Sequence, residues 1–347
     1  MSAVAITEEA VAEFLGLLGE AFPARSHLAA ANFAEITEGW ETRIFSFTLS
    51  YKEEGEAKRE ELVLRFYEGD NQKAQANKEY SVMKKMAAFG VSVPQVVLLV
   101  TENSPFGSAF VLMEKINGAT MSAALVGAGK EKILALMDSM VKEFVRVHQT
   151  PWQDIFDDPG SAIQSSTEPP AYVKARLAEM RNTADQFRLR EFEPFFAWLE
   201  ERMEQGAAQH LCVMHNDYHP GNLLMRDQTN ELVVVDWSFA EVGDYRLDLA
   251  WSVMLFAALV GPDYREPMVR AYAEAAGAPV ENFSYFEVLK LTMRMLTIAT
   301  WLDESVEIPV KKITREAIRG DYKIHVLNPY RRLREITGLF LPIIEEL

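Results

Sequence analysis

The sequence predicts an α+β protein in which a small, sheet-rich N-terminal part precedes a larger, mainly helical C-terminal part. The first part is indicated by strict alternation of apolar and polar residues, clearest over residues 45–51. The second is indicated by successive segments after Asn117-Gly118 in which apolar residues recur at helical spacing. These observations place the boundary near residues 115–119, so that one part covers 1–116 and the other 117–347.

The individual elements follow from apolar periodicity and from turn residues. In the N-terminal part, helices are predicted at 5–22 and 72–89, and strands at 45–51, 61–67, 96–101 and 109–114. In the C-terminal part, helices are predicted at 130–149, 171–188, 191–205, 245–260, 264–276, 284–302 and 311–318, with one strand-rich segment at 211–236. Residues 151–170 contain prolines and acids but no Lys or Arg, and we expect an acidic loop there.

Composition excludes several classes of protein. The net charge of −16 argues against a nucleic-acid partner, because an acidic surface is repelled by phosphate backbones. Cys212 is the single cysteine, so no intrachain disulfide can form. The longest uncharged apolar run, Leu249–Gly261, is shorter than the roughly 20 residues that a transmembrane helix needs. The N-terminus has no basic region typical of a signal peptide, so we expect a cytoplasmic protein without membrane association.

The most informative segment runs from Val213 to Asp236. Asp217 and Asn222 are five positions apart in a loop between two short apolar strands, and the next strand ends at Asp236. Phosphoryl transfer needs a carboxylate that orients the attacking hydroxyl and accepts its proton, and oxygen ligands that hold Mg²⁺ against the phosphates. Asp217 is therefore the candidate catalytic base, and Asn222 and Asp236 are the candidate metal ligands.

The order His-x-Asp-x-x-x-x-Asn, followed by a strand that ends in Asp, resembles the catalytic and metal-binding loops of the kinase superfamily. Asp236-Trp237 and the segment 243–250 resemble the aminoglycoside phosphotransferase and choline kinase branch. The resemblance implies a bilobal protein-kinase-like fold with a small antiparallel-sheet lobe that carries one key helix. It also implies a phosphotransferase that uses ATP, or alternatively GTP, with Mg²⁺ to phosphorylate a hydroxyl of a small molecule.

Two histidines and one further aspartate in this region have supporting roles by the same resemblance. His215 matches a structural brace rather than a base, and Asp248 is expected to hydrogen-bond the catalytic loop from the start of a helix. His219 is expected to make a structural hydrogen bond. A zinc site at the two histidines is disfavoured, because they lie on a Pro-Gly loop and no third ligand follows the usual pattern.

The nucleotide would be held by the N-terminal part. Glu79 lies on the apolar stripe of helix 72–89, and a buried carboxylate needs a partner, which Arg65 in the strand 61–67 can supply. This pair resembles the strand–helix ion pair that holds the ATP α- and β-phosphates in kinases, although protein kinases carry Lys at this position. Arg65 could instead be a charge at an exposed sheet edge.

Further nucleotide contacts come from the resemblance alone. Backbone N–H groups at Gly39 and Thr42 would cover the phosphates, although a plain hairpin turn also explains Gly39. Met113 would lie behind the adenine, and the Glu114 carbonyl and the Ile116 amide would bond its edge.

The acceptor is expected to be a small hydroxylated molecule. Two acidic runs could receive a cationic acceptor, although solvated surface acids explain both: Asp154, Asp157, Asp158 and Glu168 form one, and Asp303, Glu304 and Glu307 the other. Aminoglycosides, macrolides, choline, ethanolamine, homoserine and sugars are all candidates by resemblance. Two other functions stay open, a nucleotide-binding pseudokinase or regulatory protein of the same fold and a kinase acting on protein. The lack of Asp-Phe-Gly disfavours the second of these.

Overall fold

The protein, seen here in a computed structural model, divides into two compact units. The first comprises Met1–Gly118 with Arg226–Gln228, and the second comprises Ala119–Met225 with Thr229–Leu347. The described residues are 6–36, 43–157, 171–207, 211–308 and 313–347. Of the helices within these ranges, none is both long enough and apolar enough to cross a membrane.

The first unit is built on a five-stranded antiparallel sheet with the strand order β1-β2-β3-β5-β4. Its strands are β1 (Arg25–Ile36), β2 (Arg43–Glu53), β3 (Glu56–Phe66), β4 (Val96–Val100) and β5 (Phe110–Glu114). A two-residue turn joins β2 to β3, and both of its residues, Glu54 and Gly55, have positive φ. This backbone geometry matches the right-handed twist of paired strands. Strand β3 also pairs with β5 and is therefore the central strand of the sheet.

Two helices accompany this sheet, α1 (Glu8–Ala21) and α2 (Gln72–Ala88). The side chain of Thr7 caps α1 by accepting a hydrogen bond from the Ala10 amide. Phe14 of α1 is fully buried, and its ring contacts three aromatic rings at centroid distances of 5.5–5.9 Å, those of Phe47, Phe106 and Phe110. Edge-on aromatic packing of this kind stabilises the face of the sheet that α1 covers.

Strand β1 was not predicted, because its sequence hides the usual signal. It is rich in alanine, which has weak strand preference. More than half of its residues are exposed to solvent. His27 and Asn32 adopt positive φ, and the pairing with β2 shifts register between Ser26 and Ala29 and between Ala31 and Ala34. Each irregularity breaks the alternation from which a strand is recognised.

The second unit contains eleven further helices among its described residues and five short strands. The helices are α3 (Met121–Leu125), α4 (Lys130–Gln149), α5 (Trp152–Ile155), α6 (Ala171–Gln186), α7 (Glu193–Glu201), α8 (Tyr245–Val260), α9 (Arg265–Ala276), α10 (Phe283–Leu302), α11 (Arg315–Arg319), α12 (Lys323–Thr337) and α13 (Pro342–Glu345). The strands are β6 (Gly118–Thr120), β7 (Leu211–Met214), β8 (Leu223–Arg226), β9 (Leu232–Val234) and β10 (Glu241–Asp244). Helix α8 is buried on nearly all sides, as expected for a helix that is apolar all round.

Several predicted elements of this unit differ from the structure. The helix expected at 191–205 is shorter, because 3₁₀ turns flank α7 on both sides. Helix α12 was not predicted, and it carries Pro329 in its interior, which normally ends a helical pattern. The short helix α5 lies within the segment expected to be a loop, whose remaining residues 158–170 are outside the described ranges, as is the predicted turn at Glu38-Gly39-Trp40.

Two antiparallel pairs of strands flank the loop that carries Asp217 and Asn222. Strand β7 pairs with β10, so Met214 lies opposite Glu241. Strands β8 and β9 form a hairpin in which Leu223 lies opposite Val234. The loop 215–222 therefore leaves one strand pair and enters the other, and the residues that flank the hairpin at its open end lie beside each other.

Candidate functional site

The loop that follows β7 is fixed to helix α8 through one buried carboxylate. Asp248 is fully buried in the first turn of α8 and accepts hydrogen bonds from the His215 amide at 2.6 Å and the Asn216 amide at 2.9 Å. Its Oδ2 also lies 3.3 Å from His148 Nε2. The expectation that Asp248 bonds this loop from the start of a helix is confirmed. These bonds hold the backbone immediately before Asp217.

Asp217 is surrounded by three hydrogen-bond donors. Its Oδ2 is 3.0 Å from Asn222 Nδ2 and 3.5 Å from His219 Nε2, and its Oδ1 accepts a bond of 3.0 Å from Trp251 Nε1. Partial burial raises the pKa of this carboxyl, but the bonds from His219 and Trp251 and the nearby imidazoles lower it more. The net result is an Asp217 pKa well below its ordinary value, so the group is a carboxylate at any pH near neutrality.

His219 takes part in this arrangement more directly than the sequence suggested. Its Nδ1 accepts a hydrogen bond of 3.0 Å from the Gly221 amide, so the ring proton belongs on Nε2, which faces Asp217. A Cβ at position 221 would stand 2.6 Å from His219 Cε1. A larger residue at position 221 would therefore displace the His219 ring. The structural hydrogen bond expected of His219 is confirmed, and the contact with Asp217 is an addition.

His215 is a buried brace between the two strand pairs. It is fully buried, its Nε2 donates to the Val235 carbonyl at 3.1 Å, and its Nδ1 accepts from the Asp217 amide at 3.3 Å. Burial lowers the pKa of the imidazole, although the carboxylates of Asp248, Asp217 and Asp236 oppose this. A neutral ring satisfies both bonds, so His215 has the structural role expected from the sequence.

Asn222 and Asp236 both lie at the open end of the β8–β9 hairpin, where Asn222 is bonded to Val235, the residue before Asp236. The Asn222 carbonyl accepts a hydrogen bond of 3.0 Å from the Val235 amide, and the Asn222 side-chain amide donates to Asp217. This use of Nδ2 leaves the amide oxygen as the atom suited to a cation. Asp236 has a φ of 65°, a conformation that non-glycine residues rarely adopt, and its Oδ1 accepts a bond of 2.7 Å from Ser238.

These two oxygen donors fit magnesium and do not fit a metal held by protein alone. Within the described ranges, no group of three or more His, Cys, Asp or Glu side chains could hold a metal ion. Mg²⁺ commonly takes one or two protein oxygens and completes its coordination with phosphates and water. An amide oxygen beside a carboxylate, without soft ligands, is a donor set of that kind.

In the first unit, Arg65 and Glu79 form the predicted ion pair. Arg65 Nε is 3.1 Å from Glu79 Oε2, and the hydroxyl of Tyr67 donates to the same carboxylate oxygen. Both side chains are buried, with 8% and 1% of their surface exposed. Arg65 belongs to the central strand β3, opposite Ile44 of β2 and Val111 of β5. The alternative of a charge at an exposed sheet edge is therefore wrong.

The segment 113–116 follows this pair at the end of the sheet. Met113 is buried in β5, and the Glu114 side chain binds Arg226 through oxygens 2.5 and 3.3 Å from its two terminal nitrogens. The backbone N–H of Ile116 donates to no acceptor in the described part of the chain, so it is free to bind a ligand. Gly39 and Thr42, predicted to cover phosphates, lie outside the described residues.

Two residues of α8 that bind the loop, Trp251 and Ser252, were not predicted from the sequence. Trp251 binds the Asp217 carboxylate, and Ser252 Oγ donates to the Tyr218 carbonyl at 2.6 Å. With Asp248, these residues stand at positions i, i+3 and i+4 of α8, which lie on one face of a helix. Polar residues at that spacing in an otherwise apolar helix are the signal that could have revealed them.

The acidic side chains considered for a cationic acceptor are exposed wherever the structure describes them. Asp154, Asp157, Asp303, Glu304 and Glu307 all face solvent, and Asp303 is bonded to Ser305 of its own turn. Solvated surface acids are the simpler explanation for these residues. Asp158 and Glu168 are outside the described ranges.

Comparisons with known proteins identify the family of the chain. The model of the phosphotransferase enzyme family matches residues 32–283, which is more than half of the chain. A mouse protein named acyl-CoA dehydrogenase family member 10 is 26% identical over 234 residues, and a chicken family member 11 is 20% identical over 229 residues. Each match spans 65% of this chain but 21% and 28% of those longer proteins. The names of those two proteins therefore refer to chains much longer than the segment that they share with this one.

Solved structures share the fold over nearly the whole chain. A protein from Ralstonia eutropha JMP134, described as an aminoglycoside phosphotransferase, has a TM-score of 0.62 and 16% identity, with 98% of both chains covered. An aminoglycoside phosphotransferase bound to GDP and kanamycin has a TM-score of 0.59 and 13% identity, with 94% of this chain and 98% of the other covered. A choline/ethanolamine kinase family protein from Mesorhizobium loti has a TM-score of 0.55 and 14% identity, with 91% and 93% covered. The predicted α+β, protein-kinase-like fold is confirmed.

The bonds of Asp248 lead to a first prediction. In Asp248→Asn, one acceptor oxygen becomes an NH₂ group, so a buried backbone N–H of His215 or Asn216 loses its partner. Leaving such a group unsatisfied costs about 1–3 kcal/mol, and we expect a matching loss in the free energy of unfolding, measured by urea denaturation. Asp263→Asn, at an exposed position just after α8, is the matched control and should unfold as the parent does. Equal stability of Asp248→Asn and the parent would contradict the assignment.

Proposed function

Because the chain belongs to the phosphotransferase enzyme family, we propose that it is a kinase that transfers the γ-phosphate of ATP to a hydroxyl group of a small molecule. The observation that carries the proposal is the set of bonds around Asp217. Its carboxylate is bonded to Asn222, and Asn222 and Asp236 both lie at the open end of one hairpin. A hydroxyl-orienting carboxylate next to two oxygen ligands for Mg²⁺ is what phosphoryl transfer to an alcohol requires.

The main role of Asp217 is to orient the acceptor hydroxyl, and it attracts the hydroxyl proton only weakly. A carboxylate whose pKa is far below neutrality is a weak base, so it does not remove a proton from a free alcohol. It can accept a hydrogen bond from the hydroxyl and align the oxygen with phosphorus. The proton then moves to Asp217 late, when the new O–P bond has made the hydroxyl acidic. This order suits the loose transition state common in phosphoryl transfer.

The nucleotide would be held in part by groups of the first unit. The Arg65 guanidinium, fixed by Glu79, supplies a positive charge suited to phosphate oxygens, and the unused Ile116 amide can bond the edge of a purine. Gly39 and Thr42 are proposed to cover the phosphates with backbone N–H groups. Relatives of the same fold have been solved with ADP or GDP bound, so both ATP and GTP are donors to test.

Asn222 and Asp236 would hold Mg²⁺ through their side-chain oxygens. The bound metal would neutralise charge on the phosphates of the donor. The hairpin would position these oxygens, because the Asn222–Val235 backbone bond ties its two ends together. Positive φ at Asp236 is a local cost that is expected where the direction of a side chain matters for function.

The first experiment is a screen for ATP and GTP consumption with Mg²⁺, using the purified protein and a panel of hydroxylated metabolites and antibiotics. We expect acceptor-dependent ADP release, and its complete loss in Asp217→Asn with nucleotide affinity kept within a few-fold, because Asp217 acts on the acceptor. Near-parental turnover in Asp217→Asn would refute its role. Nucleotide binding without acceptor-dependent release for any panel member would favour a pseudokinase.

The metal ligands are tested separately by calorimetry with ATP, with and without Mg²⁺. Asp236→Ala should abolish the gain in affinity that Mg²⁺ provides, because it removes a charged oxygen ligand. Asn222→Ala should weaken that gain less, since it removes a neutral ligand. Asp227→Ala, an exposed aspartate in the turn of the same hairpin, should leave the gain unchanged. An undiminished effect of Mg²⁺ in Asp236→Ala would exclude the proposed metal site.

The ion pair of β3 and α2 gives a further prediction. Arg65→Ala should raise the dissociation constant of Mg-ATP and lower turnover, because it removes a charge from the phosphates. Arg65→Lys should recover only part of the affinity, since an ammonium cannot reproduce the planar fork, and Glu79→Gln should be milder than Arg65→Ala. Arg59→Ala, an exposed arginine of the same strand, is the control. If Arg65→Ala binds Mg-ATP like the parent, the pair is structural only.

A further inference from the structure

Helix α10 places two basic side chains against the Trp251 ring, whose indole nitrogen binds the Asp217 carboxylate. Lys290 and Arg294 are four residues apart and therefore lie on the same face of α10. The Lys290 ammonium is 5.4 Å and the Arg294 guanidinium 5.6 Å from the centre of the Trp251 ring. The indole nitrogen of this same Trp251 donates to Asp217 Oδ1 at 3.0 Å. One side chain thus connects the proposed catalytic carboxylate with both cations.

Neither cation forms an ion pair with a carboxylate in the described part of the chain. In the described part of the chain, no carboxylate oxygen lies within 4.0 Å of the charged nitrogens of either residue. Lys290 Nζ lies 3.5 Å from the Asn216 side-chain oxygen, and Arg294 donates to the Tyr322 hydroxyl at 2.6 Å. These partners are neutral. Although the chain has a net charge of −16, neither cation is in direct contact with a carboxylate among the described residues.

The surroundings of the two cations are aromatic and only partly exposed to water. The Arg294 guanidinium also lies 5.4 Å from the ring centre of Trp301 and 6.0 Å from that of Tyr322. Burial lowers the pKa of Lys290, while the negative charges of Asp248, Glu241 and Asp217 raise it and Arg176 lowers it further. Partly dehydrated cations bind an anion more strongly than fully solvated ones, because less water has to be displaced and the local dielectric is lower.

We propose that the acceptor carries an anionic group, a carboxylate or a phosphate, which Lys290 and Arg294 bind while its hydroxyl meets Asp217 over the indole of Trp251. This inference rests on the proposed kinase function and names the class of acceptor, a hydroxylated anion. It replaces the expected cationic acceptor, whose ammonium group would be repelled by the two side chains. Without these cations, the permanently ionised Asp217 would itself repel an acidic acceptor.

The reaction leaves the anionic group unchanged. The acceptor hydroxyl oxygen forms a bond to the γ-phosphorus of ATP, and the bond between that phosphorus and the β,γ-bridging oxygen breaks. The electron pair of the broken bond stays on the bridging oxygen of ADP, and the hydroxyl proton passes to Asp217. The product is a phosphate ester that still bears its carboxylate or first phosphate, so Lys290 and Arg294 serve as binding and specificity residues.

The test uses pairs of acceptors that differ only in charge. Hydroxy carboxylates of graded length are compared with their methyl esters, and glycerol 3-phosphate is compared with glycerol, with choline as the cationic member. For each compound, binding to the Mg-ADP form is measured by calorimetry, and phosphorylation is measured with Mg-ATP. We expect an anionic member to bind and react at least about tenfold better than its neutral analogue, which is the gain of one charge-assisted hydrogen bond. The carboxylate and phosphate pairs distinguish the two kinds of anion.

Substitutions then test whether Lys290 and Arg294 cause the preference for an anionic acceptor. Lys290→Met and Arg294→Gln should each raise the dissociation constant and KM of the anionic acceptor by about tenfold, the loss expected for one charge-assisted hydrogen bond, and leave those of the neutral analogue and of Mg-ATP unchanged. Lys290→Arg should restore most of the loss. Lys174→Met and Arg270→Gln remove the same charges from exposed positions on α6 and α9, and both should behave like the parent.

The outcomes separate this inference from the kinase proposal. Preference for a neutral or cationic member, absence of binding by every anion, or equal effects of the variants on charged and neutral acceptors would overturn the inference. Turnover of a neutral acceptor would leave the kinase proposal standing. Binding of an anion that depends on Lys290 and Arg294 but leads to no phosphorylation would support the anion site and overturn the kinase proposal instead.

Discussion

The arrangement of the second unit depends on the Asp248 carboxylate, which accepts the amides of His215 and Asn216 inside the protein. These two N–H groups belong to a loop that cannot satisfy them within a strand, because β7 ends at Met214. A single buried anion thus stabilises the turn that brings Asp217 out of the sheet. His215 extends the same support to the second strand pair through the Val235 carbonyl, so both strand pairs are positioned relative to one helix end.

In the first unit, the comparable constraint is a buried charge that must be paired. Glu79 is 1% exposed on α2, and leaving it without Arg65 would place an uncompensated anion in the interior. The pair requires α2 to lie on the sheet at a fixed point of β3. Aromatic packing by Phe14 stabilises the other side of the unit. A buried ion pair adds little net stability, so its presence is better explained by what its charges can bind.

The sequence predicted the parts whose spacing is regular. Strands β2 to β5, most long helices, the loop around Asp217 and the Arg65–Glu79 pair follow from periodicity and from the cost of burying charge. Strand β1 was not predicted, because its bulges and positive-φ residues remove the alternation of apolar and polar residues. The roles of Trp251, Lys290 and Arg294 were not predicted for another reason. These residues lie near Asp217 because α8 packs against α10. A local sequence pattern does not predict which helices pack together.

The polar face of α8 has an evolutionary consequence. Asp248, Trp251 and Ser252 hold the reactive loop from one helix, whereas the cations beside it come from another helix, α10. In the acceptor site proposed above, Arg294 bonds Tyr322 and not the loop, so a substitution there would alter acceptor binding while the hydrogen bonds from α8 to the loop stay in place. Such separation allows a gene duplicate to acquire a new substrate while it retains the inherited chemistry.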